Sequence, residues 1–253
     1  MKTIAIAVQK GGTGKTTTTY NVAAELAAKG KRTLLIDVDP QANLTADFGP
    51  YEATRTNNIA GVFGDNKPGK LKLTDILLSA SNMVDYAPGS IDLAVTELLI
   101  SGRLGRENIL KRALESVSGS YDFCLIDTPP SLGLLTINAL AAANGVLVPI
   151  LPAAHDIRSL QLFLQTLQDM KDINPNLHLL GVILNRYDKR LQLHRQAAEE
   201  ITAAGLPLIQ PYITQSVRIS EATGQYKSLR DYDPNNPNNA AYAAIADLII
   251  QEN

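Results

Sequence analysis

One stretch constrains this chain more than any other: Gln9-Lys10-Gly11-Gly12-Thr13-Gly14-Lys15-Thr16-Thr17. It follows the apolar run Ile4-Ala5-Ile6-Ala7-Val8, which reads as a short buried strand. It precedes residues 18–28, which read as a helix ending at Gly30. Strand, glycine loop and helix in that order is the setting in which a loop cradles phosphate. Glycines let backbone N–H groups converge on phosphate oxygens with no Cβ in the way, and the helix N-terminus adds partial positive charge. Lys15 is then placed to reach the β- and γ-phosphates and the Thr16 hydroxyl to ligate Mg²⁺, with Gly11, Gly12, Thr13, Gly14 and Thr17 completing the cradle. The bland alternative is a glycine-rich turn with two solvated lysines, and the strand–helix setting argues against it.

Carboxylates recur where such a site needs them. In parallel α/β sheets, ligands sit beyond the carboxyl ends of strands. Residues 32–36 read as a strand running into Asp37-Val38-Asp39-Pro40-Gln41, and residues 121–126 as one running into Asp127-Thr128-Pro129-Pro130-Ser131. An acid at a strand end after a phosphate loop is placed to hold Mg²⁺, often through water, although aspartates also end strands simply as turn formers. Further along, the pattern predicts helices at 71–80, 106–117, 134–143, 156–172, 190–204 and 240–251. It predicts strands at 83–87, 91–95, 145–151, 179–184 and 208–213, and a surface excursion over 51–70. Alternating strands and helices imply a parallel sheet covered on both faces.

Lys10-Gly11-Gly12-Thr13-Gly14-Lys15-Thr16 resembles the deviant Walker A loop of the MinD/ParA ATPases, with Gln9 where the standard loop starts on glycine and Lys10 as the additional lysine. Residues 37–41 resemble switch I of that class and 127–131 switch II. Ser90-Ile91-Asp92-Leu93-Ala94, Tyr121-Asp122 and Val217-Arg218-Ile219-Ser220-Glu221-Ala222 look like ParA/Soj segments in the same order. Only 51–70 and 233–239 fall outside the resemblance. It implies an α/β three-layer P-loop NTPase fold, a mostly parallel twisted sheet with helices on both faces, in a single domain over 1–253. It implies an ATP hydrolase of weak intrinsic turnover that uses ATP and Mg²⁺. The ATP state would be a homodimer binding DNA non-specifically, stimulated by a ParB-like adaptor and by DNA, to partition a plasmid, a chromosome or a protein cargo.

The resemblance also assigns roles. Lys15 serves the nucleotide of its own subunit, and Lys10 crosses the dimer to the partner's phosphates, as an arginine finger does in trans. Asp39 orients the attacking water, and Thr16, Asp37 and Asp127 hold or flank the metal. Asn185, after the strand at 179–184, either pairs with the adenine edge or makes an Asx-turn. The base is also read near residues 214–216, where relatives often carry Pro-Arg-Asn and this chain has Thr214-Gln215-Ser216. DNA contact falls first to Arg218, then to Lys227, Arg230 and Arg190; the bland reading is a solvated face paired with Glu199, Glu200 and Glu221.

Composition limits the alternatives. The net charge of −2 supplies no global basic field, so DNA must be met by a local patch. No apolar run reaches the length of a membrane span, the N-terminus shows no signal peptide, and the single Cys124 reads as a reduced core residue. These features point to the cytoplasm, with nucleoid association implied by the resemblance. A MinD-like membrane reading needs a basic amphipathic C-terminal helix, whereas residues 242–250 are apolar with one acid and read as a packed helix. A redox protein of the nitrogenase iron-protein type needs cluster-ligating cysteines that one Cys124 does not supply. A nucleotide-gated DNA-binding module without turnover is the remaining alternative.

Overall fold

In the computed structural model, which describes residues 1–52, 57–64 and 71–252, the apolar run before the glycine loop forms β1 (Lys2–Ile6). The other strands are β2 (Thr33–Asp37), β3 (Leu78–Ser81), β4 (Val84–Ala87), β5 (Phe123–Asp127), β6 (Gly145–Ile150) and β7 (His178–Leu184). They form one sheet of seven strands in the order β3-β4-β2-β5-β1-β6-β7. Neighbours run parallel except β3 against β4. The glycine loop therefore leaves a central strand, and the acid-bearing β2 and β5 lie to one side of it. Asp37 and Asp127 are register partners across β2 and β5, which brings both carboxylates to the edge that carries the loop.

The helices are α1 (Lys15–Ala28), α2 (Asn43–Ala46), α3 (Ile59–Gly64), α4 (Asp92–Ile100), α5 (Ile109–Glu115), α6 (Leu134–Ala142), α7 (Ala154–Asp169), α8 (Gln192–Ala203), α9 (Val217–Thr223), α10 (Leu229–Tyr232) and α11 (Asn238–Gln251). Alternate residues of a strand point to opposite faces, so two cores form. Ile4, Ile6, Leu35 and Leu125 pack with Val22 and Leu26 of α1 and with Tyr242, Ile245 and Ile249 of α11. Ala5, Leu34, Ile36 and Ile126 pack with Leu135 and Ala139 of α6 and Phe163 of α7 on the other face. This is the expected α/β arrangement, a mostly parallel sheet with helices on both faces. Each fully buried Leu or Ile contributes about 1.5–3 kcal/mol of transfer free energy. The apolar positions of α11 are occupied within the chain, as the sequence pattern predicts. Among the described residues, no helix is long and apolar enough to cross a membrane.

Four expectations are corrected. Residues 71–80 are not a helix: a single turn at Leu73–Asp75 leads into β3, the antiparallel edge strand. Leu73 and Ile76 supply the apolar spacing that looked helical, and they bury as a turn over the core. Residues 91–95 are not a strand but the start of α4. Ile91, Leu93 and Val95 alternate, yet Leu93, Thr96 and Ile100 recur at helical spacing and those are the buried side chains. Residues 208–213 make only isolated bridges beyond β7, at Leu208 and, just past them, Thr214. Pro207 and Pro211 have no N–H to donate, so no continuous ladder forms there. The expected surface excursion at 51–70 holds the buried helix α3, with Ile59, Val62 and Phe63 in the core. The rest of that excursion, 53–56 and 65–70, lies outside the described residues.

Candidate nucleotide site

The loop after β1 is shaped by two left-handed glycines, Gly12 at φ 74° and Gly14 at φ 91°, a region side chains rarely adopt. Gly14 is also held by a close approach: a Cβ there would lie 2.6 Å from Asn185 Nδ2. That amide donates to Thr13 O at 2.6 Å and braces the loop from the end of β7. The backbone N–H that would make an Asx-turn with Asn185, that of Tyr187, instead donates to Ile213 O at 2.9 Å. The Asx-turn alternative is thereby removed. A small cavity of about 130 Å³ lies beside the loop, lined by Gly14, Thr17, Asn185, Thr214, Gln215 and Ser216 among others.

α1 begins at Lys15 with no acid in its first turn, so the positive end of the helix dipole is left for an anion. Lys15 is buried, and its Nζ donates to Lys10 O at 2.8 Å. Burial lowers its pKa, while the nearby Asp127 and Asp39 charges oppose that shift. An ammonium held out of water by one carbonyl is poised to take phosphate oxygens as partners.

Thr16 Oγ1 donates to Asp127 Oδ2 at 2.6 Å. Asp127 is fully buried, and its Oδ1 has no hydrogen-bond partner among the described residues. Burial pushes its pKa well above the usual carboxylate range and the Asp37 charge adds to this, against the Thr16 hydrogen bond and Lys15. A buried carboxylate with a spare oxygen beside a threonine hydroxyl is a hard-oxygen donor set, the kind that fits Mg²⁺ completed by phosphate and water. Asp37 is more fully engaged within the chain. It accepts from Thr45 N at 2.9 Å, Thr45 Oγ1 at 2.7 Å and Asp39 N at 3.2 Å. Burial still raises its pKa to about 6. Asp39 is buried and accepts from Gln41 N at 2.9 Å.

Asp47, just past α2, has its pKa raised to about 7 by burial and then by the Asp37 charge. A carboxyl whose folded-state pKa is raised contributes nothing adverse below its unfolded pKa and destabilises progressively as pH rises through the folded value. Asp47→Asn will therefore leave the melting temperature of the nucleotide-free chain unchanged below about pH 4. It will stabilise by about 2 kcal/mol above pH 7, half the full linkage value because the group is partly solvated. Thermal melts at pH 4, 6 and 8 check this, and a pH-independent difference defeats it.

Two residues join the site that sequence reasoning missed. Asp156, in the first turn of α7, takes Lys10 Nζ on its Oδ2 at 2.5 Å and Leu151 N on its Oδ1 at 3.3 Å. The Asp156 side chain is 1% exposed and that of Lys10 33%. Thr45 ties Asp37 to the next loop, since its Oγ1 also accepts from Gly89 N at 2.8 Å. Asp156 had a weaker signal than Asp37 and Asp127, which end their strands: it stands in the first turn of the helix that follows a buried strand.

The basic residues separate into two groups. Arg218 on α9, Lys227 after it and Arg230 on α10 share one short segment docked on α1, where Leu229 N donates to Asn21 Oδ1 at 2.7 Å. Arg230 pairs with the buried Glu25 at 2.9 Å and Arg218 with Glu221 at 3.0 Å. Lys227 is exposed. Arg190 lies apart, before α8, and pairs with Asp188 at 2.7 Å. That pairing holds the Asp188 carboxyl at about 2, below the usual range.

A family model described as an AAA domain matches residues 1–179. The chain is similar to the sporulation initiation inhibitor protein Soj of Bacillus subtilis, 38% identical over 248 residues, covering 97% of this chain and 96% of that relative. It is likewise similar to the chromosome partitioning protein ParA of Caulobacter vibrioides, 34% identical over 255 residues, with 99% and 94% covered. The chain belongs to the ParA/Soj family of partition and positioning ATPases. Among solved structures, this ParA/Soj chain is similar to one described as cobyrinic acid a,c-diamide synthase from Mycobacterium smegmatis with bound ATP analog and magnesium. The TM-score is 0.83 at 34% identity, covering 98% of this chain and 93% of that one. The AAA match takes in the glycine loop, both acid-bearing strands and Asp156, and the segment of Arg218, Lys227 and Arg230 lies beyond it.

Proposed function

We propose that this ParA/Soj-type ATPase is a nucleotide-switched dimer. It binds ATP with Mg²⁺, closes on a second copy, holds DNA without sequence preference in that state, and lets go on hydrolysis stimulated by DNA and a ParB-like adaptor. The observation that carries the reading is the cluster of Lys15, Thr16 and Asp127 at the N-terminus of α1: an acid-free helix start, a buried ammonium and a buried carboxylate with an unused oxygen.

Each side chain then has a definite task. Backbone N–H groups of residues 11–16 hold the phosphates, and Lys15 exchanges Lys10 O for phosphate oxygens. Thr16 and Asp127 hold the metal, with Asp37 behind them organising the loop through Thr45. When bound, Mg²⁺ would neutralise charge on the β- and γ-phosphates. Asp39 accepts a hydrogen bond from the attacking water and aligns it with the γ-phosphorus. Lys10 reaches the partner's nucleotide after leaving Asp156, so a lone chain keeps this cation neutralised in cis. The γ-phosphate thus joins the two copies, and its removal separates them. DNA contact by Arg218, Lys227, Arg230 and Arg190 would draw on the exposed lysine and on the guanidinium N–H donors that the arginines' carboxylate partners do not use.

Asp39→Ala is the discriminating variant. Phosphate release is expected to fall by about 100-fold or more, while ATP-dependent dimerisation and DNA binding persist. If each subunit neutralises about three phosphates, log affinity for long DNA falls with log salt at a slope near −5. Normal turnover in Asp39→Ala removes its water-positioning role. Absence of any ATP-dependent mobility shift with long DNA at low salt removes the DNA claim. Phosphate release too slow to measure in the unaltered chain, with DNA present, would favour a nucleotide-gated binding module instead.

A further inference from the structure

A cavity of about 420 Å³ lies between the C-terminal part of α1, the β3–β4 edge of the sheet and the segment 226–231. None of its lining residues belongs to the phosphate loop. A space of that size takes a small molecule. The chain has nine tyrosines and four phenylalanines, and four of these rings meet here. Phe48 is stacked on Tyr86, ring centroids 4.4 Å apart, and meets Tyr20 edge-on at 4.9 Å. Ala24 and Ala27 of α1 line the cavity beside them without side-chain bulk. Tyr20 and Tyr86 are each 8% exposed, yet neither hydroxyl has a hydrogen-bond partner among the described residues. Buried tyrosine hydroxyls ordinarily find one. Burial raises the pKa of both, so each phenol keeps a proton to donate.

The rim is rich in donors. Lys227 is exposed, and its ammonium has no hydrogen bond or ion pair among the described residues. Arg230 gives one N–H to Glu25 Oε2 and has four others. The carboxylate of the lining, Asp231, already accepts from the Ser228 hydroxyl at 2.6 Å. Tyr226, the fourth ring, stands at φ 54° in the left-handed place of a Schellman turn, closed by Lys227 N donating to Ala222 O at 3.0 Å. Glycine fills that place with least strain, so the turn holds a ring at the mouth of the cavity at a conformational cost, as ligand clamps do. We propose that this cavity binds a small planar aromatic anion of one or two rings. Its rings lie against Tyr20, Phe48 and Tyr86 and over Ala24, its charge lies at Lys227 and Arg230, and the two phenols donate to its polar substituents. A cation would meet two like charges and one carboxylate that is already engaged. The site stands apart from both the nucleotide-switched dimer and DNA contact proposed above.

Three molecules of one shape and different charge test this: naphthoate, naphthylmethanol and naphthylmethylammonium. The chain has no tryptophan, so tyrosine emission passes to a bound naphthalene ring without a competing acceptor. Each is titrated into the full chain with and without saturating ADP and Mg²⁺, which fill the nucleotide site. The expected result is one naphthoate per chain with a dissociation constant of about 1 mM or tighter, the same in both conditions. The alcohol should bind about 5-fold more weakly and the cation more weakly still. Ala24→Phe fills the cavity and should weaken naphthoate by about 10-fold or more, with melting temperature and ADP affinity retained. If Ala24→Phe does not fold, Ser81→Phe, at an exposed position of the same lining, takes its place. Lys227→Gln should bring naphthoate down to the affinity of the alcohol. Naphthoate that does not saturate, that ADP displaces, or that binds the filled variant as before overturns the proposal. A cation bound more tightly than the anion overturns it equally, since the cavity then serves the opposite charge.

Discussion

Lys10→Ala will bind ATP nearly as well as the unaltered chain and turn it over about 10³-fold more slowly or worse, the scale of a charge supplied in trans to a phosphoryl-transfer site. The structure gives this variant a partner experiment. In the lone chain Lys10 is paired with Asp156, an aspartate 1% exposed. When Lys10 leaves, that carboxylate stays buried and loses its cation, which costs several kcal/mol unless something replaces it. Asp156→Asn removes the cost and keeps an acceptor for Leu151 N. It should therefore promote the ATP-dependent dimer, shifting it to lower protein concentration, while Lys10→Ala should weaken or abolish it. Analytical ultracentrifugation with an ATP analogue reads the dimer, and coupled phosphate release reads turnover. Lys10→Ala with an unaffected dimer and normal turnover would falsify the trans role. An Asp156→Asn variant that dimerises less readily would mean the ion pair is needed in the closed state as well.

Lys15→Gln will lose measurable nucleotide binding, a drop on the order of 100-fold or more, because two charge-assisted contacts to phosphate go with the ammonium. Stability should move little or rise. Lys15 is a buried cation whose pKa burial lowers, and glutamine retains a donor for Lys10 O without the charge. ATP with Mg²⁺ should raise the melting temperature of the unaltered chain by mass action and leave that of Lys15→Gln where it was. A Lys15→Gln chain that still gains thermal stability from ATP would remove Lys15 from phosphate binding.

The geometry of the glycine loop was legible because its signal is local. Backbone angles at Gly12 and Gly14, the start of α1 and the placement of Lys15 and Thr16 all follow from a few consecutive residues. Asp37 and Asp127 were legible by a rule about strand ends, and their juxtaposition follows once β2 and β5 pair in register. Where the pattern misled, a short segment carried two periodicities at once. Residues 91–95 alternate and also begin a helical stripe, and only packing against the core chose between them. Residues 71–80 had helical spacing, but an edge strand beside β4 was the better use of their backbone hydrogen bonds. The partners of the basic residues, Glu25 for Arg230 and Asp188 for Arg190, depend on contacts sequence does not print.

The amino-acid order alone determined the family, the alternation of strands and helices and the strand–glycine loop–helix order at the N-terminus, because each is written in neighbouring residues. Tertiary structure decided what each charged group does while it waits. Asp156 holds Lys10 across 146 positions, Asn185 holds the loop across 172, and Glu25 holds Arg230 across 205. Among the described residues it also left one face of α4 exposed. Such pairings are set by how the sheet orders its strands and where its helices dock, and a buried charge takes whatever partner that packing brings within reach.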